Sequence, residues 1–341
     1  MKASLPVRGL ILAAGKGTRM KSDLAKVLHP IWGKPMLEHV LAAVNGLELA
    51  GLAVVVGHQA DRVQEALAGR NLAFVLQERQ NGTGHAVLCA EPVLGREGGL
   101  TLILCGDTPL IRTETLKAFL AQHQERRPLV TLMTTELAEP FGYGRIVHTA
   151  GGAVCRIVEE KDASPEERRI RTINAGIYCA DTAFLFAALA RVGTDNSQGE
   201  VYLTDIVSQA TAGGGRVDTF PCADPMEVLG VNSRRELAQA GRVLQERLNR
   251  QHMAAGVTMA DPATVWIQGE VAIGPDTVLE PQVLLKGPAT IGRGCHLGPF
   301  LVLERCRLGD GVRVGPFNHL VDCQLPAGAT VPPGLPAGNN L

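Results

Sequence analysis

Along residues 8–230, short apolar runs alternate with stretches of helical period. The runs are Gly9–Ala14, Ala53–Val56, Ala73–Leu76, Leu100–Cys105 and Leu129–Met133. Between them the pattern predicts helices near Met36–Val44, Ala60–Leu67, Thr83–Cys89 and Thr113–His123. Apolar strands separated by helices predict an α/β fold with a largely parallel sheet covered on both faces. In such sheets ligands bind beyond the carboxyl ends of the strands, so the residues after each run matter most.

A capping box, Ser233-Arg234-Arg235-Glu236, opens a further helix that ends near Gly256. Leu237, Leu244 and Leu248 are expected to form its apolar stripe. The period then changes. Ile267, Ile273, Leu279, Leu285, Ile291, Leu297 and Leu303 recur every six residues. After a one-residue slip the series continues with Leu308, Val314 and Leu320. A six-residue repeat predicts a β-helix, in which each hexad forms one flat side and three sides close a coil. About three coils are expected, near the minimum for a solenoid. The repeat is expected to dissolve after Leu320 into a Pro/Gly-rich end, LPAGATVPPGLPAGNNL. The domain boundaries read this way are 1–231 for the α/β domain, 232–256 for a linker helix and 257–341 for the β-helix.

Charge and composition narrow the function. Lys and Arg number 33 and Asp and Glu 34 in 341 residues, a net charge of -1. A general nucleic-acid binder carries a basic excess, so none is expected as a partner. No apolar run approaches the roughly 18 residues of a membrane span. The opening segment breaks into Gly15, Lys16 and Arg19 before any signal-peptide core, so a cytoplasmic protein is expected. The eight cysteines form no CxxC pair and read as buried, reduced thiols.

The first strand runs into Leu12-Ala13-Ala14-Gly15-Lys16-Gly17-Thr18-Arg19-Met20. Glycines there let backbone N–H groups approach an anion, and Lys16 and Arg19 add positive charge. Met20 stands where a dinucleotide fingerprint needs its third glycine, and no GxxxxGK[ST] is present. Spacing alone gives a phosphate loop of unspecified kind, with a plain Gly-rich turn as the alternative. Lys26 sits among Ala25, Val27 and Leu28, where a lysine is placed to grip a phosphate as a point charge. Asp107 follows the Leu100–Cys105 run; by itself it also fits a turn before Thr108-Pro109.

The segment LAAGKGTRMKSDLAKVLHPIWGKPML resembles the opening signature of the sugar-1-phosphate nucleotidylyltransferases, in particular the bacterial UDP-N-acetylglucosamine pyrophosphorylases. The likeness continues through Gln77, Asn81-Gly82-Thr83-Gly84-His85-Ala86, Cys105-Gly106-Asp107-Thr108-Pro109-Leu110 and Gly142-Tyr143-Gly144-Arg145-Ile146. It goes on through Glu159-Glu160-Lys161-Asp162-Ala163, Asn174-Ala175-Gly176 and Gly230-Val231-Asn232-Ser233-Arg234, in consistent order over about residues 8–320. The resemblance implies a Rossmann-like nucleotidyltransferase domain followed by a left-handed parallel β-helix. It implies UTP and N-acetylglucosamine-1-phosphate as substrates, with UDP-N-acetylglucosamine and pyrophosphate as products.

The same resemblance assigns roles. Leu12, Ala13, Ala14 and Gly15 contact the uridine nucleotide, and Gln77, Gly82 and Thr83 recognise uracil. Cys105 and Gly106 belong to the substrate site. Lys16 and Arg19 cradle the outer phosphates of UTP, and Lys26 binds phosphate. Asp107 holds Mg²⁺ with the side-chain oxygen of Asn232. Gly144, Glu159 and Asn174 hold the sugar. The anionic sugar phosphate needs no general base; it attacks the α-phosphorus in line, and cations offset the repulsion between polyanions.

The sequence departs from the family in places. Ala25 replaces the proline usual before the lysine, and Cys105 replaces an aromatic or aliphatic residue. The β-helix stops before the coils that carry acetyl transfer in the bifunctional members, so no acetyltransferase activity is expected. A homo-oligomer, a trimer by resemblance, is expected. Two other functions remain open: the same transfer with another sugar-1-phosphate or dTTP, and a non-catalytic regulatory or scaffold subunit.

Overall fold

The computed structural model describes residues 5–95 and 98–334. They divide into two compact units, one of residues up to His29 with Pro35–Glu236, the other of Pro30–Lys34 with residues from Leu237 onward.

The first unit is built on a nine-stranded sheet. Its strands are β1 (Val7–Leu12), β2 (Gly51–Val56), β3 (Ala73–Leu76), β4 (Leu100–Cys105), β5 (Val130–Glu136), β6 (Arg145–His148), β7 (Val154–Val158), β8 (Thr172–Asp181) and β9 (Val217–Pro221). The main path runs β9-β5-β8-β4-β1-β2-β3, and β6 and β7 form an antiparallel pair attached to β8. β1, β2, β3 and β4 are mutually parallel, as the apolar runs predict. β8 is the exception: it runs antiparallel to both β4 and β5 in the middle of the sheet.

Successive side chains on a strand point to opposite faces, so the sheet has two cores. Ile11, Val54 and Leu102 pack on one face against helices α1 (Met36–Asn45) and α4 (Thr113–Arg126). Leu10, Val55 and Ile103 pack on the other against α3 (Thr83–Cys89), α5 (Thr182–Leu189) and α6 (Asp205–Ala212). α2 (Ala60–Ala66) follows β2. All eight cysteines are free thiols. No helix among the described residues is long and apolar enough to cross a membrane.

The second unit is a three-sided parallel β-helix. One face has five strands and the other two have four each. Ile267, Leu285, Leu303 and Leu320 stack inward on one face and belong to a single core. The slip in the repeat falls at a corner: Arg305, at φ 53°, turns alone where the preceding coil uses Gly287 and Pro288. The structure corrects two expectations here. The repeat does not dissolve after Leu320, because Gln324–Leu325 and Thr330–Val331 pair in register with the coil before them. There are accordingly more than three coils. Residues 335–341 of the Pro/Gly-rich end lie outside the described residues.

Helix α7 (Arg234–Ala254) begins at the predicted cap. Its buried face differs from the leucine stripe read from the sequence. Ala240, Gly241, Gln245 and Asn249 are buried, and the leucines are only half-buried. The Gln245 amide donates to the carbonyls of Ala263 and Val265, and the Asn249 amide to those of Pro262 and Val265. These carbonyls leave the first coil without a strand partner, and burying them without donors would be costly.

A buried histidine in the first unit gives a pH signature. His123 of α4 is 1% exposed, and its Nδ1 meets Thr131 Oγ1 at 2.8 Å. Burial pushes its pKa down to about 4, against the opposing pull of Asp218 and Asp181. The unfolded chain binds the proton with a pKa near 6.5, so stability is full above that value and falls as pH drops toward 4. The loss attributable to His123 is on the order of 3 kcal/mol. Urea unfolding at pH 7.5 and 4.5 should show His123→Gln losing less stability between the two than the wild type. Equal losses would remove His123 from the account.

Candidate active site

The two central strands, β1 and β4, end side by side. Gly106 N–H donates to Leu12 O at 2.9 Å and holds the following residues together. The loop after β1 is also tied to β2 through Ala13 N–H to Val55 O at 2.8 Å. Gly17 lies at φ 61°, and a Cβ there would fall 2.6 Å from Lys26 Cβ. Glycine thus lets the loop lie directly against the lysine stem.

At that point three distant segments meet. The Lys26 ammonium forms an ion pair with Asp107 Oδ2 and donates to Asn232 Oδ1 at 3.0 Å. Both partners of the ion pair are only about one-sixth exposed, 15% and 16%. Val231 N–H donates to Asp107 O at 2.8 Å, which fixes the loop carrying Asn232 beside β4. The Glu236 carboxylate accepts from Asn232 N–H at 2.7 Å, while Glu236 N–H donates to Ser233 Oγ at 3.3 Å. Ser233 thus caps the helix as predicted, while the Glu236 carboxylate reaches back to Asn232 rather than to Ser233 and so holds the Asn232 backbone.

A cleft of about 550 Å³ opens over these strand ends. It is lined by Leu12 to Thr18, Lys26, Gln77, Gly82, Thr83, Cys105 and Asp107 among others. Gln77 is buried; its amide donates to Gly82 O at 3.0 Å and lies 3.0 Å from His85 Nδ1. Gly82 has φ 102°, and a Cβ there would fall 2.5 Å from Val201 O. The start of α3 is thus pressed against residues 200–203, where Leu203 N–H also donates to Thr83 Oγ1 at 3.2 Å. Burial and the Asp107 charge push the Cys105 thiol up to about 12, so it stays protonated. A larger concavity of about 680 Å³ lies at the opposite, N-terminal ends of β1, β2 and β3. Its lining is mainly aliphatic, with Arg8 and Arg70; the smaller cleft holds the chemistry and occupies the position expected of a ligand site.

Of the expected site residues, Arg19, Gly106, Gly144, Glu159, Asn174 and Asn232 lie outside the cleft lining. Gly144, Glu159 and Asn174 form a group of their own. Asn174 N–H donates to Gly144 O at 2.9 Å, and a Cβ on Gly144 would stand 3.4 Å from Glu159 Oε1. Burial raises the Glu159 pKa, and the nearby Thr204 side chain opposes this. Asn174 Oδ1 accepts from Gly176 N–H at 3.1 Å, and the carbonyl of Gly176 lies 3.5 Å from Cys105 Sγ, which links this group to β4. Lys16 and Arg19 are exposed on the first loop.

Several residues here were not singled out from the sequence. Gln80 and Glu200 line the cleft. Tyr143 lies close to the Gly230 backbone and to Asp107, and burial pushes its hydroxyl up to about 12. Thr204 lies close to Glu159. Tyr143 was within reach of the sequence, since it lies inside the quoted Gly-Tyr-Gly-Arg block. Glu200 and Thr204 carried no local signal, because only the tertiary fold brings them to the site.

A MobA-like NTP transferase domain matches residues 9–176. The proteins named bifunctional protein GlmU include one from Geobacter metallireducens, 52% identical over 86% of this chain and 62% of its own length. Another, from Pelobacter propionicus, is 48% identical over 89% of this chain and 66% of its own. A third, from Desulfotalea psychrophila, is 47% identical over 308 residues, 90% of this chain and 91% of its own length. The chain belongs to the GlmU family. It spans just under two thirds of the length of the first two relatives and nearly all of the third.

For this member of the GlmU family, the donor set around Lys26 fits a hard cation. Asp107 and Asn232 supply two oxygens converging on one positive charge. No group of three or more His, Cys, Asp and Glu capable of holding a metal exists among the described residues. A divalent cation here would therefore take two protein oxygens and complete its shell from water or ligand oxygens. Lys26 occupies the same two oxygens. Lys26→Met should therefore tighten Mn²⁺ binding in the absence of nucleotide by about tenfold, or 1.4 kcal/mol. Electron paramagnetic resonance titration of free Mn²⁺ reads this directly; unchanged or weaker binding would show that the lysine does not compete.

Proposed function

We propose that the chain is a uridylyltransferase that makes UDP-N-acetylglucosamine and pyrophosphate from UTP and N-acetylglucosamine-1-phosphate. The observation that carries the proposal is the Lys26 ammonium held between Asp107 and Asn232 beneath the loop of residues 12–19. A site that transfers a nucleotidyl group has little covalent chemistry to perform; it positions two polyanions and offsets their charge.

The residues divide accordingly. Leu12 to Gly15 present backbone at the strand ends, where the uridine nucleotide lies. Gln77, Gly82 and Thr83 receive uracil. Because the Gln77 amide nitrogen is engaged by Gly82 O, its Oε1 is the atom offered to the base imide. Lys16 and Arg19, both exposed, reach the outer phosphates, and Lys26 reaches the phosphate nearer the reacting centre. Cys105 and Gly106 form the floor between nucleotide and sugar. Gly144, Glu159 and Asn174 receive the sugar. Bound Mg²⁺ would neutralise developing charge on the phosphates, held by Asp107 and Asn232. The nucleophile is already an anion, so no side chain has to remove a proton. Residues 1–231 form the catalytic part in this proposal, 232–256 the linker and 257–341 the β-helix. A trimeric, cytoplasmic protein completes it.

Pyrophosphate release should require UTP, Mg²⁺ and N-acetylglucosamine-1-phosphate. Asp107→Ala should lower kcat by roughly 10²–10³-fold, the usual cost of losing one electrostatic anchor. Glucose-1-phosphate, glucosamine-1-phosphate and dTTP run in parallel distinguish the alternative substrates. Silence with every pair would favour a non-catalytic subunit.

A further inference from the structure

The sequence places two glutamates side by side, Glu159 and Glu160, and the structure turns them to different tasks. Glu159 stands against Gly144. Glu160 turns to Arg145, whose Nη2 donates to Glu160 Oε2 at 2.6 Å. Arg145 is 2% exposed and is the largest fully buried side chain among the described residues. A buried guanidinium is tolerated only when its charge and donors are matched. Here Nη1 donates to Tyr143 O and Nη2 also reaches Arg168 O at 3.5 Å, leaving Nε without a partner.

The pair joins three segments. Gly142 N–H donates to the same Glu160 Oε2 at 3.2 Å, so one carboxylate oxygen gathers both the loop before β6 and Arg145. Burial disfavours the Glu160 charge, but the bonds from Arg145 and Gly142 and the nearby Arg168 outweigh it and hold its pKa below the ordinary value. Glu160 is thus a committed anion, whereas burial raises the pKa of its neighbour Glu159. On the strand side, Arg145 pairs with Val158 of β7 and Ile173 of β8. The backbone around Arg145 therefore carries Gly144 on one side, lies beside the end of β7 that carries Glu159, and abuts Asn174.

We propose that Arg145 and Glu160 are positioning residues for the sugar half of the site: their ion pair fixes Gly144 and Glu159 at the separation the sugar requires. This rests on the uridylyltransferase function proposed above. The nucleotide half is held by other contacts, the strand ends of β1 and β4 and the start of α3. Loosening the pair should therefore act on one substrate and spare the other.

The test is steady-state kinetics on the full chain with both substrates varied. Glu160→Gln keeps the shape and removes the charge; Arg145→Lys keeps the charge and removes the fork. Each should raise KM for N-acetylglucosamine-1-phosphate about tenfold while leaving KM for UTP within about twofold. The double variant should lose much less than the product of the two single effects, because the two side chains act as one unit. Arg145→Ala leaves a carboxylate without its partner, and Glu160→Gln takes the countercharge from a buried guanidinium; Arg145→Lys keeps both charges and, with folding checked by circular dichroism, keeps the test decisive. Equal rises in both KM values, or none in either, would overturn the positioning role while leaving the transferase intact. A wild-type chain that does not use this sugar would overturn the functional proposal, and this one with it.

Discussion

One ammonium group organises the cleft over the ends of the central strands. Lys26, Asp107 and Asn232 come from a short 3-10 turn, the end of a central strand and the loop before a long helix. Each would be poorly placed alone. Asp107 is held by the β1–β4 pairing, Asn232 by Glu236 and by the bond from Val231, and Lys26 by close packing of Gly17 on its stem. Partial burial strengthens the attraction relative to water, but the same burial makes an unpaired charge costly. The cluster is therefore a set of charges that stabilise each other in the protein.

The second constraint is spatial. Around the cleft, backbone approaches backbone so closely that side chains are excluded. Gly82 against Val201 is the clearest case. This packing brings residues 200–203 to the start of α3 and sets Glu200 in the lining of that end of the cleft. The Lys26 cluster and this closely packed end are brought to one cleft by the order of elements in the sheet.

Much of this was legible in the sequence because it rests on local period. The parallel strands β1 to β4 are uniformly apolar since both faces are covered, and the six-residue step of the β-helix reports its inward stack. β8 was harder to see. It carries a register shift between Asn174 and Tyr178, which interrupts any simple alternation. The β6–β7 pair was hidden by Arg145, a charged residue at a buried position. Helix α7 misled for the opposite reason: its leucines suggested the buried stripe, whereas Gln245 and Asn249 are buried because carbonyls of the first coil need donors. At the candidate site, the blocks of residues around Lys26, Asp107 and Asn232 were visible, but Thr204 and Glu200 were not, since nothing near them in sequence marks their neighbours.

The separation of these residues along the chain also bears on how the protein is made. Asn232 lies 206 residues beyond Lys26. At synthesis rates of roughly 5–20 residues per second, roughly 10–40 s pass between the appearance of the two. During that interval the strands beside Lys26 and Asp107 are free to assemble on the ribosome, but the last oxygen of the cluster is still missing. The segments of the β1–β4 pairing thus leave the ribosome well before the residue that completes the Lys26 cluster.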